Sequence, residues 1–513
     1  MGVYIGLDII PKKIIQEEWQ KVFEESMQLI QAYPFATLKE VNVDGFKRLV
    51  LDRAEVQCVE GYGAEEKYWK INGDLESKET GESFTLFSSL DRYGGLKESR
   101  VTEDILFNFL NKNERWAKEV FYSKTQGKQY HSFVLAIAAL IECRFPKSAC
   151  VYGDITKAQA QKAVDWANSI LDKPIDLPIR VYPPSLLERL NVIDNEEKRL
   201  EALYDLSIGD SDEMDNLVGK QFGMNAVRNY FAKKLQDFES AAQLGAELII
   251  IRYLNAGLPL EILVDICCFD KNGPQFSLTE FTKGICATWV LVEPTIRENI
   301  NCVNKATDTP ETVEEQFGSV FLDMRFMGRR TRRYISKEEV IKVLKGKLGD
   351  SNQLEEIIET KYQDIVKMLE GEGRKQKKLI DESHAKTKEN IIYTLEQLMF
   401  WNDKYEISEF IIKGITTVKE AVDESIATRT NLMQIIREAE EQGQLIKVLS
   451  QLIQDQQSLV LTKSAWDWIE NESNDVVKRM MVMLVLSVEN TSEVRKLYRA
   501  LFENQGLYYK YMK

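Results

Sequence analysis

From Glu311 to Lys513 the chain contains no proline, and all 11 of its prolines lie earlier. Proline inside a helix costs about 3 kcal/mol, so a proline-free run of this length predicts an all-helical region, with Thr309 as its cap and Pro310 at the tolerated first position. Within it, Lys337–Lys345 follows a Ser336 to Glu339 capping box. Gln353–Gly371, His384–Phe400, Ile407–Gly414, Thr416–Thr428, Leu432–Gln456, Ala465–Glu472, Val476–Ser487 and Glu493–Phe502 are amphipathic at helical spacing. Their lengths vary and no signature recurs at a fixed period, so an irregular bundle or helical array is expected in place of a regular repeat.

The first hundred residues read differently. Val3–Ile9 has the pattern of a strand, and Gln16–Tyr33 carries Trp19, Val22, Phe23, Met27, Leu29 and Ile30 at helical spacing before Pro34. Lys47–Leu51, Glu55–Val59, Lys67–Ile71 and Ser83–Phe87 are short β-branched or aromatic segments separated by glycines, with Asn72-Gly73 placed for a tight hairpin. The fold class expected is therefore α+β: a small N-terminal mixed module followed by a large, predominantly helical body. Its expected divisions are residues 1–99, a mainly helical 100–310 with a proline-rich connector near 174–184, and an all-helical 311–513. In the middle part, Thr156 and Gln159 form a capping box and Phe133–Ile141 reads as a buried helix.

Composition removes whole classes of chemistry. Two histidines, His131 and His384, leave little room for an imidazole-based triad or a multi-histidine metal site. Lys+Arg 67 against Asp+Glu 81 leaves a net charge of −14, which disfavours a broad nucleic-acid surface. Seven cysteines without a C-x-x-C pair read as reduced thiols of a cytoplasmic protein, and no signal peptide is indicated. The longest apolar runs, such as Phe133–Ile141 and Met480–Val488, fall short of the roughly 20 residues a transmembrane helix needs. No phosphate-cradling glycine motif occurs.

Candidate sites are few. His131 and Cys143 do not share a helix face, and Asp210-Ser211-Asp212-Glu213-Met214-Asp215 has the wrong residues for an EF-hand at its later positions. Asp74, Glu76, Asp210 and Asp212 are the carboxylates a hydrolase would have to bring together, alone or around a divalent metal. No cofactor is predicted; an incidental divalent cation is compatible with the acidic runs, and catalytic and metal residues stay unassigned. The main departure from the acidic background is Arg325, Arg329, Arg330, Arg332 and Arg333, followed by Tyr334. Guanidinium forks bind carboxylates and phosphates, so this cluster is expected to form a positive surface for an acidic protein partner, an acidic surface of the chain itself, or nucleic acid. A second basic run, Arg374–Lys378, is expected to join two helices at Gly371 and Gly373, and the Tyr508, Tyr509 and Tyr511 tail to dock on the helical body. The function expected is that of a protein-interaction, adaptor or regulatory protein with a helical surface. The alternatives are a carboxylate- or metal-dependent hydrolase and a nucleic-acid-binding protein using Arg325–Arg333.

Overall fold

The computed structural model describes residues 3–61, 64–94, 104–111, 116–209, 211–300, 313–349, 352–386, 390–456, 458–486 and 492–513. The expected cap at Thr309-Pro310, Asp210 and Cys302 lie outside these residues, as does the side chain of His384. The chain is α+β, with 60% helix and 14% strand among the described residues. No helix among the described residues is long and apolar enough to cross a membrane.

Two sheets build the N-terminal part. β1 (Tyr4–Ile9) lies between β7 (Lys118–Lys124) and β8 (Ala149–Gly153), antiparallel to both. The larger sheet contains β2 (Phe35–Val43), β3 (Phe46–Arg53), β4 (Val56–Gly61), β5 (Ala64–Asp74) and β6 (Thr80–Phe87). Helix α1 (Gln16–Ala32) buries Trp19, Val22, Phe23, Leu29 and Ile30, and its Ser26 Oγ accepts from Trp69 Nε1 of β5 at 3.0 Å. Helix α2 (His131–Arg144), apolar almost all round, is buried in the same core. That core runs from Ile5 to Val181 and so continues past residue 99, because the strands that flank β1 on both sides come later in the chain.

Two local readings change. β2 pairs with β3 through a two-residue turn, Asp44-Gly45, whose φ values of 48° and 84° are those of a tight hairpin. Asn72-Gly73 is instead inside β5: Asn72 Oδ1 accepts from Leu38 N at 3.2 Å, and the register slips between Ile71 and Gly73. A Cβ on Gly73 would lie 1.9 Å from the Glu79 carbonyl oxygen, so this glycine permits a close backbone approach and makes no turn.

A second core gathers the middle helices, among them α3 (Ser211–Gln221) and α4 (Leu244–Asn255). It crosses residue 310 to include Val340 and Leu344 of α6 (Lys337–Leu348) and Leu354 and Ile358 of α7 (Asn352–Lys386), which follow α5 (Val313–Phe326). Helix α7 runs unbroken through Gly371 and Gly373, so Arg374–Lys378 lies within a helix and forms no join. Gly373 is there for contact: a Cβ would sit 2.7 Å from that of Asn299.

A third core spans Ile392 to Met512 and takes in Val50 of the N-terminal sheet. The described residues of this region are mostly helical, with three two-residue strands: β9 (Ile391–Ile392) and β10 (Glu406–Ile407) pair with each other, and β11 (Leu461–Thr462) adds to β3 in parallel. The tyrosine tail is the helix Gln505–Met512, which buries Leu507, Tyr508 and Met512 against this core.

Candidate interaction surface

Helix α5 is apolar on two faces. Leu322, fully buried, and Phe326 pack inward with Trp289, Ile300 and Leu369. Val320 and Met324, four apart on the other side, and Met327, just past the end of the helix, are 56%, 81% and 64% exposed. Here the outward stripe has no cover within the chain among the described residues.

The helix ends at Met327 and Gly328, both left-handed at φ 55° and 72°, and the chain continues as an extended strap, Arg329–Ser336, to the capped start of α6. The strap is tied down along its length. Asn255 of α4 donates to the Arg330 carbonyl at 2.8 Å and accepts from Arg332 N at 2.9 Å. Thr331 is buried, its hydroxyl on the Thr288 carbonyl and its own carbonyl held by Arg297. Ile335 N donates to the Val290 carbonyl at 3.0 Å.

This anchoring sets the arginines against acidic residues of the chain itself, one of the alternatives expected for the cluster. Arg329 pairs with Glu247 of α4 and lies 4.6 Å from the Trp289 ring centre. Arg330 pairs with Asp323 at 2.8 Å, and Arg332 reaches Asp212 at 3.1 Å and Asp215 at 3.3 Å on α3. Arg333 donates to the Leu258 carbonyl. The extended strap turns these side chains toward carboxylates of α3, α4 and α5 and toward the Leu258 carbonyl. Arg325 and Tyr334 stay exposed, at the end of the apolar stripe and at the far end of the strap respectively.

The carboxylates beneath the strap are perturbed. Burial, opposed by Arg252 and Arg332 and reinforced by Asp212, pushes Asp215 up to about 7. Burial also raises Glu247, against the pull of Arg329. Tyr204, stacked on Tyr230 with ring centres 4.8 Å apart, lies beside Asp215, and Arg252 covers its ring at 5.3 Å.

The other candidates do not converge. Asp74 is buried and caps a turn, accepting from Ser77 N and Ser77 Oγ at 2.6 Å each, whereas Glu76 of the same turn is exposed. Asp212 lies under the strap with Asp215, far from that turn in sequence and in a different core. Among the described residues, no group of three or more His, Cys, Asp or Glu could hold a metal ion. His131 is buried with Nδ1 2.6 Å from Thr125 Oγ1, and burial lowers it to about 4, which leaves a neutral imidazole joined to the Thr125 hydroxyl. Cys143, at the far end of α2, is partly buried.

Sequence reasoning missed the stripe and the strap's partners. The stripe was legible, since Val320, Met324 and Met327 keep a 4-3 spacing opposite Leu322 and Phe326. The choice of Glu247, Asp212 and Asp215 as counter-ions was not, because nothing local links them to the arginines. Compared with protein-family models, curated proteins and solved structures, the chain has no match.

Proposed function

We propose that this chain is a cytoplasmic protein-interaction protein, of adaptor or regulatory type, that engages a partner through the outward face of α5. One observation carries the reading: a helix with an inward apolar face already packed presents Val320 and Met324 to solvent, with Met327 exposed just past its end. Exposed contiguous apolar surface of this kind marks contact sites, and methionine suits a surface that must adapt to a partner's shape. Arg325 at the edge of the stripe supports a partner with acidic residues beside its apolar ones. The buried thiols of Cys150, Cys267 and Cys286, all pushed upward by burial, fit an inert structural role in a reducing compartment.

The test is affinity capture with the purified full chain, comparing wild type with Met324→Glu/Met327→Glu and with Arg325→Glu. The expected result is a specific partner lost in the double variant and weakened in the arginine variant, with unchanged circular dichroism. An identical partner set from all three proteins would remove this surface from the reading.

A further inference from the structure

Strand β3 is paired unequally on its two sides. Along β2 all eight of its residues, Phe46–Arg53, find antiparallel partners, whereas β11 meets it in parallel at Val50 and Leu51. We propose that this second edge of β3 is a binding site for an extended aliphatic peptide, and that the C-terminal helical body closes it in cis as a releasable cover. The edge belongs to a different core from α5, so failure of either reading leaves the other standing.

Beside β11, a side chain fills the edge. Gln454 Oε1 accepts from Leu49 N at 2.6 Å and its Nε2 donates to the Lys47 carbonyl at 3.4 Å, so one amide stands where a neighbouring strand would offer its own backbone. The helix that carries Gln454 widens to a π-turn over Leu452–Gln456, and Ser458, just beyond it, is left-handed at φ 52°. Irregular backbone of these kinds gathers where a segment binds or moves. A strand running the length of β3 would meet more of its backbone groups than β11 and Gln454 do together, and main-chain bonds of this sort give a peptide its affinity for a sheet edge. Its side chains are set by what they replace. Leu461 of β11, fully buried and in register with Val50, calls for an aliphatic residue at that place.

Beyond this ladder the fastenings of the cover are charged. Arg48 pairs with Glu470, and Glu503 holds two elements at once: it accepts from Thr462 N at 2.8 Å and Thr462 Oγ1 at 2.7 Å on β11, and pairs with Lys78, between β5 and β6, at 3.5 Å. Lys78, left-handed at φ 55°, also gives its carbonyl to Arg499. Among the described residues, Val50 is the one member of the third core from outside Ile392–Met512. A polar seam with so little shared core lets one part of a chain move against another, whereas a large apolar interface locks the two together.

Hydrogen exchange of the full wild-type chain in low urea reads the cover directly. Edge amides in 46–53 are expected to exchange through an opening of lower free energy than those of α2 and of the Asn474–Val485 helix, because release bares the edge and leaves both cores closed. Lys78→Gly/Arg499→Leu removes two fastenings remote from β3 and keeps a residue suited to positive φ at position 78. It should speed exchange in 46–53 by about tenfold and leave the two helices unchanged. A labelled peptide Ser-Leu-Val-Leu-Thr-Lys, the sequence of residues 458–463, should bind this variant about tenfold more tightly than wild type in fluorescence anisotropy, and its form with proline for the second leucine should not bind. One shared opening energy for 46–53 and α2 in the wild type would overturn the cover. Equal peptide binding by the two proteins, or dimers of the variant in light scattering, would overturn the peptide site. Should the variant misfold, wild-type exchange and wild-type peptide binding in the same urea decide: an edge that opens and takes no peptide is not this site.

Discussion

The guanidinium of Arg48, on β3, lies 3.7 Å from the centre of the Trp466 ring, on a helix near the other end of the chain. The same guanidinium pairs with Glu470 and donates to Ser450 Oγ at 3.1 Å, and Arg48 is only 4% exposed. Beside it, β11 extends the N-terminal sheet and Gln454 accepts from Leu49 N at 2.6 Å. One side chain therefore stacks, pairs and hydrogen-bonds across the seam between sheet and helices.

Removing it should be felt throughout the molecule. Arg48→Ala is expected to destabilise by about 3 kcal/mol, since it strips a buried charge from its partner and opens the contact over Trp466. Arg48→Lys should recover only part of this, because an ammonium keeps the charge but loses the planar stack and the fork. Urea denaturation of the three proteins checks the order; a lysine variant as stable as wild type would show that the stack and the fork contribute nothing.

The two faces of α5 should respond in opposite ways. Leu322→Ala, at a fully buried position, is expected to cost about 2 to 4 kcal/mol. Met324→Gln, at a position 81% exposed, should stay within about 0.5 kcal/mol of wild type. A large stability loss at Met324 in the isolated chain would mean that the chain itself covers the stripe.

Two glycines in α7 give a second contrast. Nothing lies within 4 Å of a Cβ built on Gly371, so Gly371→Ala should stabilise by about 0.5 to 1 kcal/mol through helix propensity. At Gly373 the Asn299 Cβ, only 2.7 Å away, must move, and Gly373→Ala is expected to destabilise in spite of the same gain in propensity. Thermal unfolding of both variants reads the sign directly.

His131 predicts a pH dependence. Burial holds the folded imidazole at about 4, below its ordinary value, so the unfolded chain takes up a proton first as pH falls. Stability from this group is full above about pH 6.5, declines as pH drops toward about 4 and is constant below, a loss of up to about 3 kcal/mol. The difference in unfolding free energy between wild type and His131→Asn, measured across that window, should follow this curve; a flat difference would contradict it.

Local chemistry made much of the fold legible. The Thr156 to Gln159 box caps its helix in both directions, Ser336 accepts from Glu339 N at 3.2 Å, and the described residues of the proline-free C-terminal region are mostly helical. These features depend on residues within a turn or two of one another, and so a sequence carries them. β2 escaped because Phe35–Val43 shows weak alternation, although Asp44-Gly45 is the hairpin signal that marks its end.

What the sequence by itself determined was the class of elements: short strands early, helices late, an arginine cluster against an acidic background, and too little imidazole for common triads. Tertiary structure alone decided which strands flank β1, where the cores cross residues 99 and 310, and that Arg329, Arg330 and Arg332 meet Glu247, Asp323, Asp212 and Asp215. The physical reason is range. Capping and periodicity are fixed by neighbours along the chain, whereas a guanidinium takes whichever carboxylate packing brings within reach. Packing depends on how whole helices and sheets exclude water together, and that is not written in any one segment.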